Sequence, residues 1–193
     1  MAARPLLSFV AAIFLGVLLG IASAGLAIRG AGLGGSLKSG PWSTSLATGS
    51  ADADMYTRAR VAVGGLLALD KKETIYFDAS TDDEGQPLRG ECDYRIEGRD
   101  LLARWWSLTA YGSDHFLIPD ERGRYSFSKT TTPMDRDGRF ALRVSAFEQP
   151  GAWLPTVAGD RFYLTIRLYN PDPSIQEDPT ATELPRIVRE RCL

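Results

Sequence analysis

Residues 103–127, ARWWSLTAYGSDHFLIPDERGRYSF, hold two adjacent tryptophans, two tyrosines and the only histidine of the chain. A histidine near serine and acid invites comparison with acyl-transfer enzymes, in which serine, histidine and carboxylate form a hydrogen-bonded series. Ser113 and Asp114 adjoin His115, but neighbours along the chain do not adopt that spatial arrangement. No Gly-x-Ser-x-Gly elbow occurs either. His115 therefore reads as a solvated turn residue.

Other chemistries find less to work with. One histidine and two distant cysteines do not make a zinc site at any familiar spacing, so no metal is expected. Ser80, Asp82, Glu84 and Glu91 imitate the ligand positions of a calcium loop with the wrong first residue, and strands rather than helices flank them. Asp82, Asp83 and Glu84 read instead as a solvated hairpin tip. VGGLLALDKKE lacks the spacing of a phosphate-binding loop, and no cofactor is expected. A carboxylate pair for glycoside hydrolysis is defined by separation in space and stays open.

The more informative residues alternate. In RWWSLTAY, Trp106, Leu108 and Ala110 share one side, while Trp105, Ser107, Thr109 and Tyr111 share the other. In RFYLTIRLY, Phe162, Leu164, Ile166 and Leu168 oppose Tyr163, Thr165, Arg167 and Tyr169. A simple solvated face would carry Lys, Glu and Thr. Aromatic rings with polar handles suit a ligand groove or a partner surface. If the two strands are neighbours, Trp105, Tyr111, Tyr163, Arg167 and Tyr169 are the candidate ligand-binding residues. The favoured reading is nevertheless that the helix at 52–69 and the C-terminal tail cover this face, so that these rings are mostly two-sided sheet packing.

The same period of two recurs in ETIYFDA, CDYRIEG, GRYSFS and RFALRVSAF, with TDDEGQP as the turn that makes the first two a hairpin. Six or more short strands separated by turn signals indicate a mainly β protein, a sandwich or barrel. One helix precedes them. DADMYTRARVAVGGLLAL, residues 52–69, offers Asp52 or Asp54 as N-cap and apolar positions at Tyr56, Ala59, Val63, Leu66 and Leu67, with Gly64 and Gly65 straining it.

Upstream, residues 6–28 run without a charge, long enough to cross a hydrocarbon core of about 30 Å as a helix. Ala22-Ser23-Ala24 before Gly25 has the form of a signal-peptidase site, yet the run exceeds the usual signal core of about 7–15 residues, which favours a retained anchor. Arg4 and the N-terminus would stay cytoplasmic, with Arg29 weakening the bias. The expected organisation is a signal anchor at 1–29, a Gly/Ser-rich linker at 30–51, and a β-sandwich domain at 52–193. Trp42 is the linker's one large apolar residue and is expected to pack on the domain. In an exported chain two cysteines point to one disulfide, Cys92 to Cys192. With 24 acidic and 22 basic residues there is no basic stripe, and nucleic acid is not an expected partner.

Residues 56–173 resemble the bacterial Domain of Unknown Function 1214 family. The series FDASTDDEGQPLRGECDYRI, RWWSLTAYGSDHFLIPDERGRYSFS, DGRFALRVSAF and AWLPTVAGDRFYLTIRLYNPD carries the resemblance, the last segment most specifically. It implies a jelly-roll-like antiparallel β-sandwich, often following a companion domain of equally unknown function; here an anchor and linker stand in that place. It implies no catalytic residue.

Together these readings predict a single-pass protein of the bacterial inner membrane, held by its N-terminal helix, with its C-terminal domain in the periplasm. A non-catalytic binding or envelope-associated module is favoured, its partner a small molecule or an envelope protein. A hydrolase acting on a small or saccharide-like substrate at the aromatic face is the rival.

Overall fold

The computed structural model describes residues 3–29, 36–64 and 67–193. In chain order these form helix α1 (Ala3–Arg29), strands β1 (Leu37–Ser39) and β2 (Trp42–Thr44), and helix α2 (Met55–Val63). Then come β3 (Thr74–Ala79), β4 (Cys92–Arg99), β5 (Ala103–Gly112), β6 (Ser126–Ser128), β7 (Arg139–Ser145), β8 (Trp153–Pro155) and β9 (Phe162–Pro171). Helix α3 (Pro173–Glu177) and β10 (Arg186–Cys192) end the chain.

The strands form two sheets, ordered β1-β2-β3-β9-β5-β6 and β10-β4-β7-β8. All pairings are antiparallel except β7 with β8. The core collects the inward residues expected from the alternation: Trp106, Leu108 and Ala110 of β5, Phe162, Leu164, Ile166 and Leu168 of β9, Tyr94 and Ile96 of β4, and Leu142 and Val144 of β7. Ile75 and Phe77 of β3 join them. The protein is thus a mainly β, two-sheet fold preceded by an apolar helix.

Four expectations need correction. The stretch read as linker contributes two strands to the sheet edge, with Ser43 pairing Asp78. Trp42 is 1% exposed, and its indole Nε1–H donates to Pro185 O at 2.7 Å. Burial of one indole and its hydrogen bond outweigh the weak strand signal of the surrounding Gly and Ser.

Next, β3 and β4 are not a hairpin, because they belong to different sheets. The turn itself forms, with Asp82 N–H donating to Gln86 O and only Thr81 bridging Pro87. Gly90 then passes so close to Val157 that a Cβ would lie 1.7 Å from its carbonyl oxygen, which steers the chain across to the second sheet.

The turn's acids are not all solvated. Asp82 is 1% exposed, accepts from Glu84 N and Gln86 N, and pairs with Arg189 at 2.8 Å. A carboxylate can be buried there because two backbone donors and the Arg189 charge replace its water.

Finally, α2 is shorter than the span 52–69. Asp54 caps it, accepting from Tyr56 N at 2.8 Å and Thr57 N at 3.1 Å, and it ends at Gly64. Gly65 and Leu66 lie outside the described residues. Thr57 is its one buried residue, so the apolar stripe is not inserted into the core.

Cys92 and Cys192 face each other across the β4–β10 ladder and form the expected disulfide. It closes a separation of 100 residues. Replacing Cys192 by Ser is expected to lower unfolding free energy by about 2–5 kcal/mol. Trp42→Ala is expected to cost about 3–5 kcal/mol. Denaturant unfolding of the full chain in detergent measures both; a Trp42 cost under about 1 kcal/mol would mean that the β1–β2 edge contributes little to the fold.

Candidate functional site

The two strands singled out by their outer faces are neighbours. Their register sets Trp105 opposite Tyr169, Ser107 opposite Arg167, Thr109 opposite Thr165 and Tyr111 opposite Tyr163. Strand β3 adds a third row on the other side of β9, with Tyr76 opposite Arg167 and Asp78 opposite Thr165. Three adjacent strands therefore present one polar and aromatic surface on the side of the sheet away from the core.

That surface is the floor of a cavity of about 610 Å³. Tyr111, Tyr163, Arg167 and Tyr169 line it, as do Tyr76, Asp78 and Thr165. Trp105 lies beyond its end, its ring 5.2 Å from that of Tyr169. Four of the five residues expected at a binding face are brought together, and the fifth supports one of them.

The cavity exists because neither expected cover closes over the face. The C-terminal tail becomes β10 and pairs with β4 in the opposite sheet. From the other direction, the chain leaving α2 forms one wall with Gly64, Leu67 and Leu69. The Tyr76 hydroxyl pins this wall, donating to Leu67 O at 3.3 Å and accepting from Leu69 N at 3.2 Å. Gly49, at φ +76°, lets a neighbouring turn approach Leu69; a Cβ there would lie 2.0 Å from the Leu69 carbonyl oxygen.

His115 sits in the expected turn but is not merely solvated. Its Nδ1 lies 3.0 Å from the Tyr163 hydroxyl, and its ring lines the cavity. The neighbouring Asp114 caps the turn by accepting from Phe116 N, so it does not orient the histidine.

Two features set the electrostatics. Arg167 donates to the Tyr111 hydroxyl at 2.7 Å and to Thr109 Oγ1 at 3.4 Å, and its guanidinium stands 5.3 Å from the Tyr111 ring centre. No carboxylate lies within ion-pair distance of it among the described residues. Asp78 is half-buried on the next strand, its Oδ1 accepting from the Thr165 hydroxyl at 2.6 Å. Burial pushes its carboxyl above the ordinary range, against the pull of the Thr165 hydrogen bond and of the Arg167 and His115 charges. Asp78 lines the cavity and is otherwise enclosed by the sheet, so it is partly exposed yet desolvated.

The Tyr163 phenol is pushed up to about 12, first by burial and then by the nearby Asp78 charge. It stays a neutral hydroxyl throughout the physiological range. Its ring stacks on that of Tyr111, 5.5 Å between centres and 19° between planes. The floor thus offers a cation, hydroxyl groups that donate or accept, one carboxyl and flat apolar rings. Such groups suit recognition of a ligand.

Tyr76 and Asp78 escaped the sequence reading, although the alternation in ETIYFDA places both opposite Ile75 and Phe77. Leu67, Leu69 and His115 carry no such signal, since their position follows from where α2 stops and how the turn after β5 folds back.

A family model described as a protein of unknown function, DUF1214, matches residues 73–173. No curated protein matches the chain. The VPA0106 protein from Vibrio parahaemolyticus is similar over 72% of this chain and 36% of its own, at 28% identity and a TM-score of 0.59. An uncharacterised protein from Burkholderia cenocepacia matches 63% of this chain and 30% of its own, at 18% identity and a TM-score of 0.44. The chain spans about a third of the length of these two proteins.

The folded carboxyl of Asp78 titrates above the unfolded value of 3.8. Its contribution to stability is full below that value and is lost as pH rises through the folded one. Asp78→Asn is therefore expected to unfold at a higher temperature than the parent at pH 8, with a smaller gap at pH 4. Thermal unfolding of both proteins across that range is the check, and a gap independent of pH would show that Asp78 is not desolvated.

Proposed function

The chain belongs to the DUF1214 family of proteins of unknown function, and we propose that it is an exported, membrane-anchored binding module whose ligand occupies the aromatic cavity of its larger sheet. The observation that carries this reading is Arg167, a half-buried cation at the floor of an open cavity, held among the described residues by the Thr109 and Tyr111 hydroxyls and the Tyr111 ring. A buried or partly buried charge is usually paired. Here the pairing group is a ligand with an anionic or strongly accepting end and an apolar or aromatic body.

The placement rests on two further facts. Residues 6–28 form one helix long and apolar enough to cross a membrane, exposed along all but its C-terminal end. The Cys92–Cys192 disulfide belongs in an oxidising compartment, which for a bacterial protein facing outward is the periplasm. Together they support a retained inner-membrane anchor with the β domain on the periplasmic side.

Binding is favoured over the rival hydrolysis by the composition of the cavity. Among the described residues Asp78 is the one carboxylate lining it, whereas glycoside hydrolysis takes two about 5–9.5 Å apart.

Thermal-shift titration of the full chain in detergent, against aromatic and aliphatic carboxylates, phosphate esters and neutral sugars, tests the reading. Anionic compounds are expected to raise the unfolding temperature. Arg167→Gln should weaken their binding about ten- to a hundredfold, the worth of a hydrogen bond to a charged group. The exposed Arg136→Gln should leave it unchanged. Equal binding by the parent and Arg167→Gln would overturn the cavity as the site.

A further inference from the structure

The far end of α1 and the mouth of the cavity are joined by one short helix. Along α1 the residues from Leu6 to Ser23 are exposed, and then Ala24, Gly25, Ala27 and Ile28 become half-buried where α1 packs on α2. Helix α2 therefore sits at the level where the chain leaves its apolar span.

A helix at that level meets either water or the bilayer surface, and its side chains favour the second. Met55 is 76% exposed and Val63 68%, and Leu67 just beyond the helix is 88% exposed. Apolar side chains gathered beside a membrane span are what an interfacial helix presents to the headgroup region. Leu67 and Leu69 also form part of the cavity wall, so exposed apolar side chains stand both on α2 and at the cavity. At its floor the lining changes to Arg167 and hydroxyl groups.

An apolar lip at the membrane and a cationic floor behind it match the two ends of one class of molecule. We infer that the cavity takes a single-chain amphiphile with an anionic head from the outer surface of the bilayer that α1 spans, the head pairing with Arg167 and the chain lying along Leu67 and Leu69. Helix α2 rests on that surface and holds the cavity open toward it. This inference rests on the cavity being the binding site and on α1 being retained as an anchor.

The test uses the full chain in phosphatidylcholine nanodiscs with 11-(dansylamino)undecanoate, whose emission shifts to the blue in an apolar site, and with dansyl-aminobutanoate as the short-chain comparison. The undecanoate should bind at least tenfold more tightly than the butanoate. Arg167→Gln should weaken it about ten- to a hundredfold, and Leu67→Asp, at a position too exposed to threaten the fold, several-fold. A nitroxide on Val63→Cys should be reached by oxygen and shielded from a water-soluble nickel chelate.

If both probes bind equally and both depend on Arg167, the cavity is a binding site but the amphiphile inference falls. A Val63 label open to the chelate would overturn the bilayer as source. If the undecanoate ignores Arg167→Gln, the inference and the cavity assignment fall together.

Discussion

The alignment of β5 with β9 is the constraint on which the rest of this structure depends. Strand β9 carries four large apolar residues on one side and Tyr163, Thr165, Arg167 and Tyr169 on the other, and β5 repeats the division. A slip of one residue would turn Arg167 into the core and Ile166 into the cavity. The apolar side enforces the register, because Leu164 and Leu168 are wholly buried against the second sheet. The polar and aromatic face is therefore held in place by packing on the opposite side of the sheet.

That arrangement makes the floor electrostatically unusual. Arg167 lies between β3 and β5, yet the groups it bonds directly are hydroxyls of β5, while Asp78 of β3 is engaged with Thr165. Interactions in such a partly desolvated place are stronger than in water, and so is the cost of leaving a charge incompletely matched. The cation and the carboxyl moderate each other across the strand pair without closing into a salt bridge, which leaves both able to face a third party.

Much of this was legible in the sequence because alternation is a local property. The inward sets of β4, β5, β7 and β9, and the outer rows of β5 and β9, follow from a period of two alone. Their adjacency does not, since β5 and β9 are separated by some fifty residues and β3 reaches β9 from further still. Short strands defeat periodicity altogether: Leu37–Ser39 and Trp42–Thr44 are too brief to show any, and a Gly/Ser background reads as linker. TDDEGQP was correctly a turn, but a turn says nothing about which sheet receives the next strand. The face of α2 misled for a related reason, since an apolar stripe shows that a helix prefers to leave water and not what it meets instead.

The Trp42 bond to Pro185 has a mechanical meaning. Pro185 immediately precedes β10, which is cross-linked to β4, so the edge nearest the anchor is clipped to a strand covalently fastened in the other sheet. Tension arriving through β1 from the N-terminal side is shared between both layers rather than borne by the three-residue edge strands alone. Peeling that edge would require the indole to be drawn out of the core first, which gives the domain a stiff mounting on its tether.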